Sequence, residues 1–251
     1  MQGVTKEALH LIYPESDGKP MAENTRQYKM IVLIKEGLEV TTKGQNIFVA
    51  GDLFWYPVEG RPDIKLAPDV LVAIGRPKGD RGSYMQWLED DIPPQVIFEI
   101  RSPNDSDKLM EKKLHFYRRY GVKEYYVYDL DKNIFSVYLR QGRQLLKVPQ
   151  AREWTSPLLN ISFNWTEESL EIFHPNGEPF LSPAETAELK EKEKLRADQE
   201  KLRADYANWK AEQEKLRAEQ EKQRAEQEKQ RADQAEEQIR ALQEKLKALQ
   251  G

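Results

Sequence analysis

One acidic residue interrupts a strongly apolar stretch of the chain. Glu99 lies within Gln95–Arg101 (QVIFEIR), a run bounded by Pro93-Pro94 and by Ser102-Pro103. A short apolar run between such breakers predicts a largely buried strand. Because an ionised carboxylate in that setting is costly unless it is paired or bound to a metal, Glu99 requires a partner.

Two further charged residues lie in apolar surroundings nearby. Asp69 follows Pro68 and opens the run Val70–Ile74. Lys113 falls on the apolar face of a helix predicted from Asp107 to Tyr120, whose apolar residues recur every three or four positions: Leu109, Met110, Phe116, Tyr117 and Tyr120. Taken singly, Glu99 is explained by a structural ion pair and Lys113 by a buried stem with an exposed ammonium group. Two acids and one base on a single strand–helix unit favour a functional site.

The chemistry that fits this set is metal-assisted hydrolysis. Carboxylate oxygens on neighbouring strands suit a hard divalent cation, Mg²⁺ above all, which keeps several waters when one or two carboxylates bind it. A bound cation lowers the pKa of its water and offsets the charge that develops on a phosphoryl oxygen. A nearby lysine orients the attacking water or stabilises that charge. This chemistry needs neither cysteine nor histidine.

Three segments together carry a family resemblance. They are Pro68-Asp69-Val70, the stretch Val96–Pro103 (VIFEIRSP), and Lys113 followed by Tyr117 and Gly121–Tyr126 (GVKEYY). In this combination the chain resembles the Uma-two family, a group abundant in cyanobacteria within the PD-(D/E)XK nuclease superfamily. The resemblance covers roughly residues 10 to 180.

The resemblance implies a fold, a cofactor and a set of site residues. It implies an α/β restriction-endonuclease-like core with a mixed central sheet flanked by helices, acting on DNA. Asp69 and Glu99 match the metal-binding acids, and the backbone carbonyl of Ile100 is the expected third ligand. Lys113 matches a catalytic lysine that this family carries on the helix after the strand. The implied cofactor is Mg²⁺, with Mn²⁺ as a substitute.

The chain also departs from the superfamily pattern. Arg101 stands two residues after Glu99, where the superfamily usually has its lysine. Arginine holds phosphate but does not readily exchange a proton; because Arg101 shares a strand face with Glu99, it is alternatively the partner of that carboxylate. Glu23 is the one candidate for an additional acid from an N-terminal helix.

The loop Gly75–Gly82 (GRPKGDRG) directly follows the Asp69 strand and contains three basic residues: Arg76, Lys78 and Arg81. They are candidate phosphate contacts, because glycine-rich backbone and guanidinium groups can approach a phosphate closely. The alternative is a solvated surface loop.

Composition limits the class of protein. The chain has 251 residues, a formal net charge of −4 and no cysteine, which excludes disulfides, thiolate metal sites and a cysteine nucleophile. The slight acidity argues against strong nonspecific binding to nucleic acid, but it allows a local basic groove. No signal peptide and no apolar stretch of membrane-spanning length are recognised, so a cytoplasmic location is expected.

The residue pattern predicts two parts, a nuclease domain at residues 1–182 and a long charged helix at 183–251. The domain is expected to begin with a helix at about Met21–Lys35. Strands are then predicted at about 47–49, 53–57, 69–74, 95–101, 124–129 and 134–140, and shorter strands at 144–147, 161–165 and 170–173 complete one mixed sheet.

Residues 184–249 contain neither glycine nor proline and repeat in heptads. Apolar residues recur every seven positions, at Leu195, Leu202, Trp209 and Leu216, and each is followed four positions later by Gln199, Tyr206, Gln213 or Gln220. This pattern predicts a coiled-coil seam and a homo-oligomer formed through residues 184–251. Between Gln223 and Gln234 the seam contains only glutamine, and Ile239, Leu242, Leu246 and Leu249 resume in a shifted register. The alternative is a solvated single helix stabilised by pairs such as Glu193/Arg196 and Lys201/Asp205.

Together these features predict a divalent-metal-dependent endonuclease that hydrolyses phosphodiester bonds in DNA. Asp69 and Glu99 would hold the metal, and Lys113 would assist the attacking water. The alternative is a catalytically inactive DNA- or protein-binding module that assembles through the coiled coil. A plain scaffold built around the tail would explain the repeats but not the three charges in apolar surroundings.

Overall fold

A computed structural model describes residues 12–14 and 25–249, and the chain divides into two compact units at Thr186/Ala187. Within the described part, the first unit contains two α-helices, a short 3₁₀ helix at Gln86–Leu88 and eleven strands. These elements are α1 (Thr25–Thr41), β1 (Ile47–Gly51), β2 (Trp55–Tyr56), β3 (Val70–Ile74), β4 (Tyr84–Met85), β5 (Val96–Arg101), α2 (Asp107–Arg119), β6 (Glu124–Asp129), β7 (Ile134–Gln141), β8 (Gln144–Lys147), β9 (Glu153–Thr155), β10 (Ser162–Trp165) and β11 (Leu170–Phe173).

The central sheet has six strands in the order β1-β3-β5-β6-β7-β8. Within this sheet only β5 and β6 run parallel, because α2 connects them and returns the chain to the end of the sheet at which β5 began. The other neighbouring pairs are antiparallel. The sheet is therefore mixed and flanked by helices, which confirms the predicted fold class.

The two faces of the sheet bury separate clusters. On one face, α1 and the segments around β9–β11 cover Val70, Phe98 and Tyr126. On the other face, Tyr117 of α2 and Trp55 pack against Leu71 and Ile97. Since side chains alternate along a strand, residues 69, 71, 97 and 99 share this second face.

Helix α2 begins and ends where its sequence predicts. The Ser106 hydroxyl accepts a hydrogen bond from the backbone N–H of Leu109 at 3.2 Å and caps the N-terminus. At the other end Gly121 adopts a φ of +97°, a conformation that glycine tolerates best. These two signals fix the helix, and with it the position of Lys113, relative to β5.

The first helix differs from its predicted bounds. Residues 21–24 lie outside the described residues, and α1 continues six residues beyond Lys35, to Thr41. Gly37 lies inside this helix, and the Phe180 ring packs against it. An added Cβ at residue 37 would approach that ring to 2.1 Å, so the position requires glycine. The glycine therefore serves close packing and does not end the helix.

The last strands also differ from the prediction. Segments β10 and β11 pair with β9 in a separate three-stranded sheet and do not extend the central one. Phe163 of β10 packs its ring against Tyr126 and Phe135, at centroid distances of 5.0 and 5.1 Å. The aromatic side chains of this small sheet thus cover the face of the central sheet, whereas the sequence suggested pairing at its edge.

The described part of the second unit lies within a single helix, α3 (Pro183–Leu249), which has 67 residues. Its N-terminus carries a capping box: the Ser182 hydroxyl accepts from the backbone N–H of Glu185 at 3.3 Å, and the Glu185 carboxylate accepts from the Ser182 backbone N–H at 2.8 Å. Four large apolar side chains of the predicted seam are more than half exposed: Leu195, Leu202, Trp209 and Leu216. Among the described residues, no helix is both long and apolar enough to cross a membrane.

Candidate active site

Asp69 and Glu99 are brought together by the antiparallel pairing of β3 and β5. Val70 pairs with Phe98, so the next position in the same register sets Asp69 opposite Glu99. Directly opposed residues project to the same face of a sheet. The Asp69 Oδ2 also accepts a hydrogen bond from the backbone N–H of Ile100 at 2.5 Å, which ties the carboxylate to the end of β5.

Glu99 is only 1% exposed, and α2 supplies both of its side-chain partners. The Lys113 Nζ lies 2.6 Å from Glu99 Oε2, and the Tyr117 hydroxyl donates a hydrogen bond to Oε1. Lys113 and Tyr117 are four residues apart and therefore share one face of the helix. From the sequence, Tyr117 was placed in the apolar stripe and in the family resemblance but was given no role at Glu99, although its i+4 spacing from Lys113 signals one.

The charges in this cluster shift one another. Burial and the negative charge of Glu99 raise the pKa of the Asp69 carboxyl well above its usual range. Burial alone would lower the pKa of Lys113, but the carboxylates of Glu99 and Asp69 outweigh it and raise that pKa. The raised pKa favours the protonated form of Lys113 at neutral pH, which donates a hydrogen bond to Glu99.

The donor set suits a hard divalent cation. Two opposed carboxylates whose mutual repulsion raises the pKa of Asp69 would be relieved by a cation, and Mg²⁺ needs only one or two protein carboxylates. The Ile100 carbonyl accepts a hydrogen bond from the Gln27 side chain at 2.9 Å, so it would have to exchange this partner to become a ligand. In the described part of the chain, no cluster of three or more acidic or histidine side chains is arranged to hold a metal.

A family model described as "Putative restriction endonuclease", Uma2, matches residues 17–170 of this chain. The chain belongs to the Uma2 family. The matched range contains Asp69, Glu99 and Lys113 and excludes α3. The family resemblance inferred from the three segments is confirmed.

Among solved structures, one similar chain is a "putative nuclease belonging to DUF820" from Anabaena variabilis ATCC 29413, with 18% identity and a TM-score of 0.44. The similarity covers 58% of this chain and 82% of that one. No curated protein matches the chain.

Arg101 is not the partner of Glu99 in this Uma2 protein. Its guanidinium lies 2.6 Å from Asp107 Oδ1 and 3.8 Å from Asp129 Oδ2, and it also donates to the Asp105 carbonyl. Asp129 is opposite Arg101 in the parallel pairing of β5 with β6, and Asp107 begins α2. Arg101 lines a groove of about 360 Å³ beside α2 and has acidic neighbours on two sides.

The three basic residues of the Gly75–Gly82 loop form ion pairs within the domain. Arg76 Nε and Arg81 Nε lie 2.9 and 2.5 Å from the Glu89 carboxylate, and Lys78 Nζ lies 2.5 Å from Glu39 Oε2. The loop leaves β3 at the end opposite Asp69, about 16 Å away for five residues of strand. Proximity in sequence therefore does not bring the loop to the acidic pair, and phosphate contact by these residues stays a prediction.

The sequence did not identify the acidic side chains around the cavity beside Asp69. This cavity, of about 190 Å³, is lined by Asp69 together with Glu36 of α1 and Asp52. Glu23, the predicted additional acid, lies outside the described residues. An exposed glutamate in an amphipathic helix carries no distinguishing signal, so only the packing of α1 beside β3 identifies Glu36.

Proposed function

We propose that this Uma2 protein is a divalent-metal-dependent endonuclease that hydrolyses phosphodiester bonds in DNA. The observation that carries the proposal is the buried Glu99 carboxylate, set opposite Asp69 in the sheet and in contact with the Lys113 ammonium group. Family membership supports the same activity class. Asp69 and Glu99 would hold Mg²⁺, or Mn²⁺ in its place, with the Ile100 carbonyl as a further ligand.

Each residue of the cluster has a distinct role in this proposal. When bound, the cation lowers the pKa of water and offsets negative charge on the phosphate. Lys113, whose raised pKa favours its positive charge at neutral pH, lies beside Glu99 and would orient the attacking water or stabilise charge on a phosphoryl oxygen. Tyr117 fixes the Glu99 carboxylate through its hydroxyl and so determines which way its oxygens face.

The second candidate is a catalytically inactive module that binds DNA or protein. It is favoured by one observation: both carboxylate oxygens of Glu99 already have partners in Lys113 and Tyr117, as in a purely structural ion pair. In that case the cluster stabilises the contact between α2 and β5 and needs no cation.

A cleavage assay separates the two candidates. Supercoiled, linear duplex and single-stranded DNA are each incubated with the full-length protein in Mg²⁺, Mn²⁺ or EDTA, beside an identically purified Glu99→Ala variant. The endonuclease predicts products that require the metal and disappear in the variant. Equal cleavage by both proteins, or no cleavage of any DNA form by the wild type, would overturn the proposal.

We also propose that α3 mediates self-association. Along one side of this helix, a row of large apolar side chains is exposed to water, including Leu195, Leu202 and Trp209. A second copy would bury that row. Light scattering of the full-length protein over a dilution series is expected to show an oligomer that dissociates at low concentration, and a monomer at every concentration would refute this.

A further inference from the structure

Charged residues flank the heptad seam of α3 in a fixed order. With the apolar series Leu195, Leu202, Trp209 and Leu216 at position d, position a is occupied by Gln199, Tyr206, Gln213 and Gln220. Position e is then basic in six consecutive heptads: Arg196, Arg203, Lys210, Arg217, Arg224 and Arg231. Position g is acidic in the same stretch: Asp198, Asp205, Glu212, Glu219, Glu226 and Asp233.

These two rows determine which helix orientation is electrostatically favourable. In a parallel pair, each g residue lies beside the e residue five positions later in the partner helix, whereas an antiparallel pair sets g against g and e against e. The parallel arrangement therefore joins acid to base in five repeats per chain: 198/203, 205/210, 212/217, 219/224 and 226/231. The antiparallel arrangement would place like charges together along the whole seam.

The distribution of apolar residues leads to the same orientation. The large apolar side chains occupy the first part of the seam, up to Leu216, and glutamine fills both a and d from Gln220 to Gln234. Over the full seam, parallel helices match leucine with leucine and glutamine with glutamine, while antiparallel helices match leucine with glutamine. Burying an amide against leucine loses hydrogen bonds to water without replacement.

From these two observations we propose that α3 binds a second copy of itself as a parallel, in-register coiled coil over residues 195–234. The inference rests on the proposed self-association and adds its orientation. A coiled coil also explains the seven-residue period of the charges. In a solvated single helix with 3.6 residues per turn, nothing would hold charged residues at positions beside a 3.5-residue seam. Both rows end where the seam ends, since Gln238 and Arg240 follow at e and g.

Disulfide trapping tests the orientation without background, because the chain has no cysteine. Leu195→Cys and Gln223→Cys each place one thiol at position d, and an in-register parallel pair brings the two copies of either thiol together. Both variants are expected to form covalent dimers in a glutathione redox buffer. Ala204→Cys, at the outward position f, is the matched control and is expected to remain uncrosslinked.

Antiparallel pairing gives a different result. If only the leucine-rich parts overlapped, the two copies of residue 195 would lie roughly 30 Å apart along the axis. A covalent dimer from one d-position variant but not from the other would overturn the parallel register. A full-length protein that is monomeric by light scattering and forms no disulfide dimer would refute both the self-association and its orientation.

Charge reversal tests the electrostatic basis independently. Changing Glu212, Glu219 and Glu226 to lysine is expected to weaken dimerisation on the order of 100-fold, since it makes the g row repel the e row. Adding Arg217→Glu, Arg224→Glu and Arg231→Glu, the e-position partners of the three changed residues, restores complementarity and is expected to restore the dimer. The matched control changes Glu214, Glu221 and Glu228, at the outer position b, to lysine and should leave the dissociation constant unchanged. Equal weakening by the g and b variants would contradict the proposal.

Discussion

Two glutamates in neighbouring strands are equally buried but have different surroundings. Glu99 in β5 is 1% exposed and Glu124 in β6 is 2% exposed. Glu124 accepts hydrogen bonds from three neutral donors: the Tyr126 hydroxyl, the Ser156 hydroxyl and the Leu158 backbone N–H, at 2.7, 2.5 and 2.8 Å. Glu99 instead contacts an ammonium group and lies opposite a second carboxylate.

The comparison shows that burial alone does not separate a structural acid from a functional one. The donors around Glu124 connect β6 to the segment before β10, and they stabilise a single charge at a fixed place. In the Glu99 cluster, burial and the neighbouring charge of Glu99 raise the pKa of Asp69. This arrangement costs folding energy unless a cation binds. We therefore expect substitutions in the two clusters to affect different properties.

The substitution Glu99→Gln is expected to have the largest effect, a loss of catalysis. Removing this ligand should lower metal-dependent DNA cleavage about 1,000-fold, equivalent to about 4 kcal/mol of transition-state stabilisation. Stability should change little, because relief of the repulsion with Asp69 offsets the lost contact with Lys113. Initial rates and urea unfolding curves measure the two quantities. Loss of several kcal/mol of stability would make Glu99 a structural residue like Glu124.

Lys113→Ala should lower turnover about 100-fold while metal affinity changes much less, because the lysine contributes charge and a hydrogen bond rather than a ligand. Lys112→Ala is the matched control, since the neighbouring side chain is exposed. Single-turnover rates across a Mg²⁺ titration separate the two parameters. A purely metal-dependent defect that saturating Mg²⁺ rescues would contradict this role.

Glu124→Gln should affect stability and leave catalysis intact. Its amide cannot accept from all three donors, so we expect a loss of about 1–3 kcal/mol in unfolding free energy. Cleavage per folded molecule should equal that of the wild type. If this variant loses activity while remaining folded, the distinction between the two clusters fails.

Tyr117→Phe tests how finely the Glu99 carboxylate must be oriented. Removal of the hydroxyl that donates to Oε1 should reduce metal affinity about tenfold. Tyr125→Phe is the control: its hydroxyl is buried without a hydrogen-bond partner in the described structure, and the Tyr125 ring lies 5.0 Å from that of Tyr117. Calorimetric Mg²⁺ titrations should show a weakened Tyr117 variant and an unchanged Tyr125 variant; equal affinities in both would exclude the orienting role.

The smallest expected effect is a pH dependence of metal-induced stabilisation. Because folding raises the pKa of Asp69, its contribution to stability is complete below the unfolded-state pKa of about 4 and is lost as the pH rises through the folded-state value. Mg²⁺ binds the deprotonated form, so the increase in Tm on adding Mg²⁺ should grow as the pH rises from about 4 through the folded-state pKa of Asp69. Asp69→Asn should remove this trend in thermal melts, and a pH-independent Mg²⁺ effect in the wild type would argue against Asp69 as a ligand.

The sequence predicted the features that depend on short-range pattern. Strand β5, helix α2 and the inward face of Lys113 follow from periodicity and capping within about 25 residues. The mixed sheet and the Uma2 family were also predicted, the latter from three short segments whose order and spacing are specific.

Features that depend on distant contacts were missed or wrong. The acidic partners of Arg101 come from a helix start and a neighbouring strand, which no local pattern identifies. Strands β4 and β9 contain only two and three residues, too few for periodicity to register. Sequence alone also could not distinguish Glu99 from Glu124, because the donors of Glu124 lie as far as 34 residues away.

The most direct test of the central claim is divalent-cation binding at the Asp69–Glu99 pair, measured by electron paramagnetic resonance of free Mn²⁺ in titrations of purified protein. The wild type and Glu124→Gln are expected to bind one Mn²⁺ with similar affinity, and Asp69→Asn and Glu99→Gln are expected to lose that binding. Unchanged Mn²⁺ binding in both acid variants, or no binding by the wild type, would contradict the account.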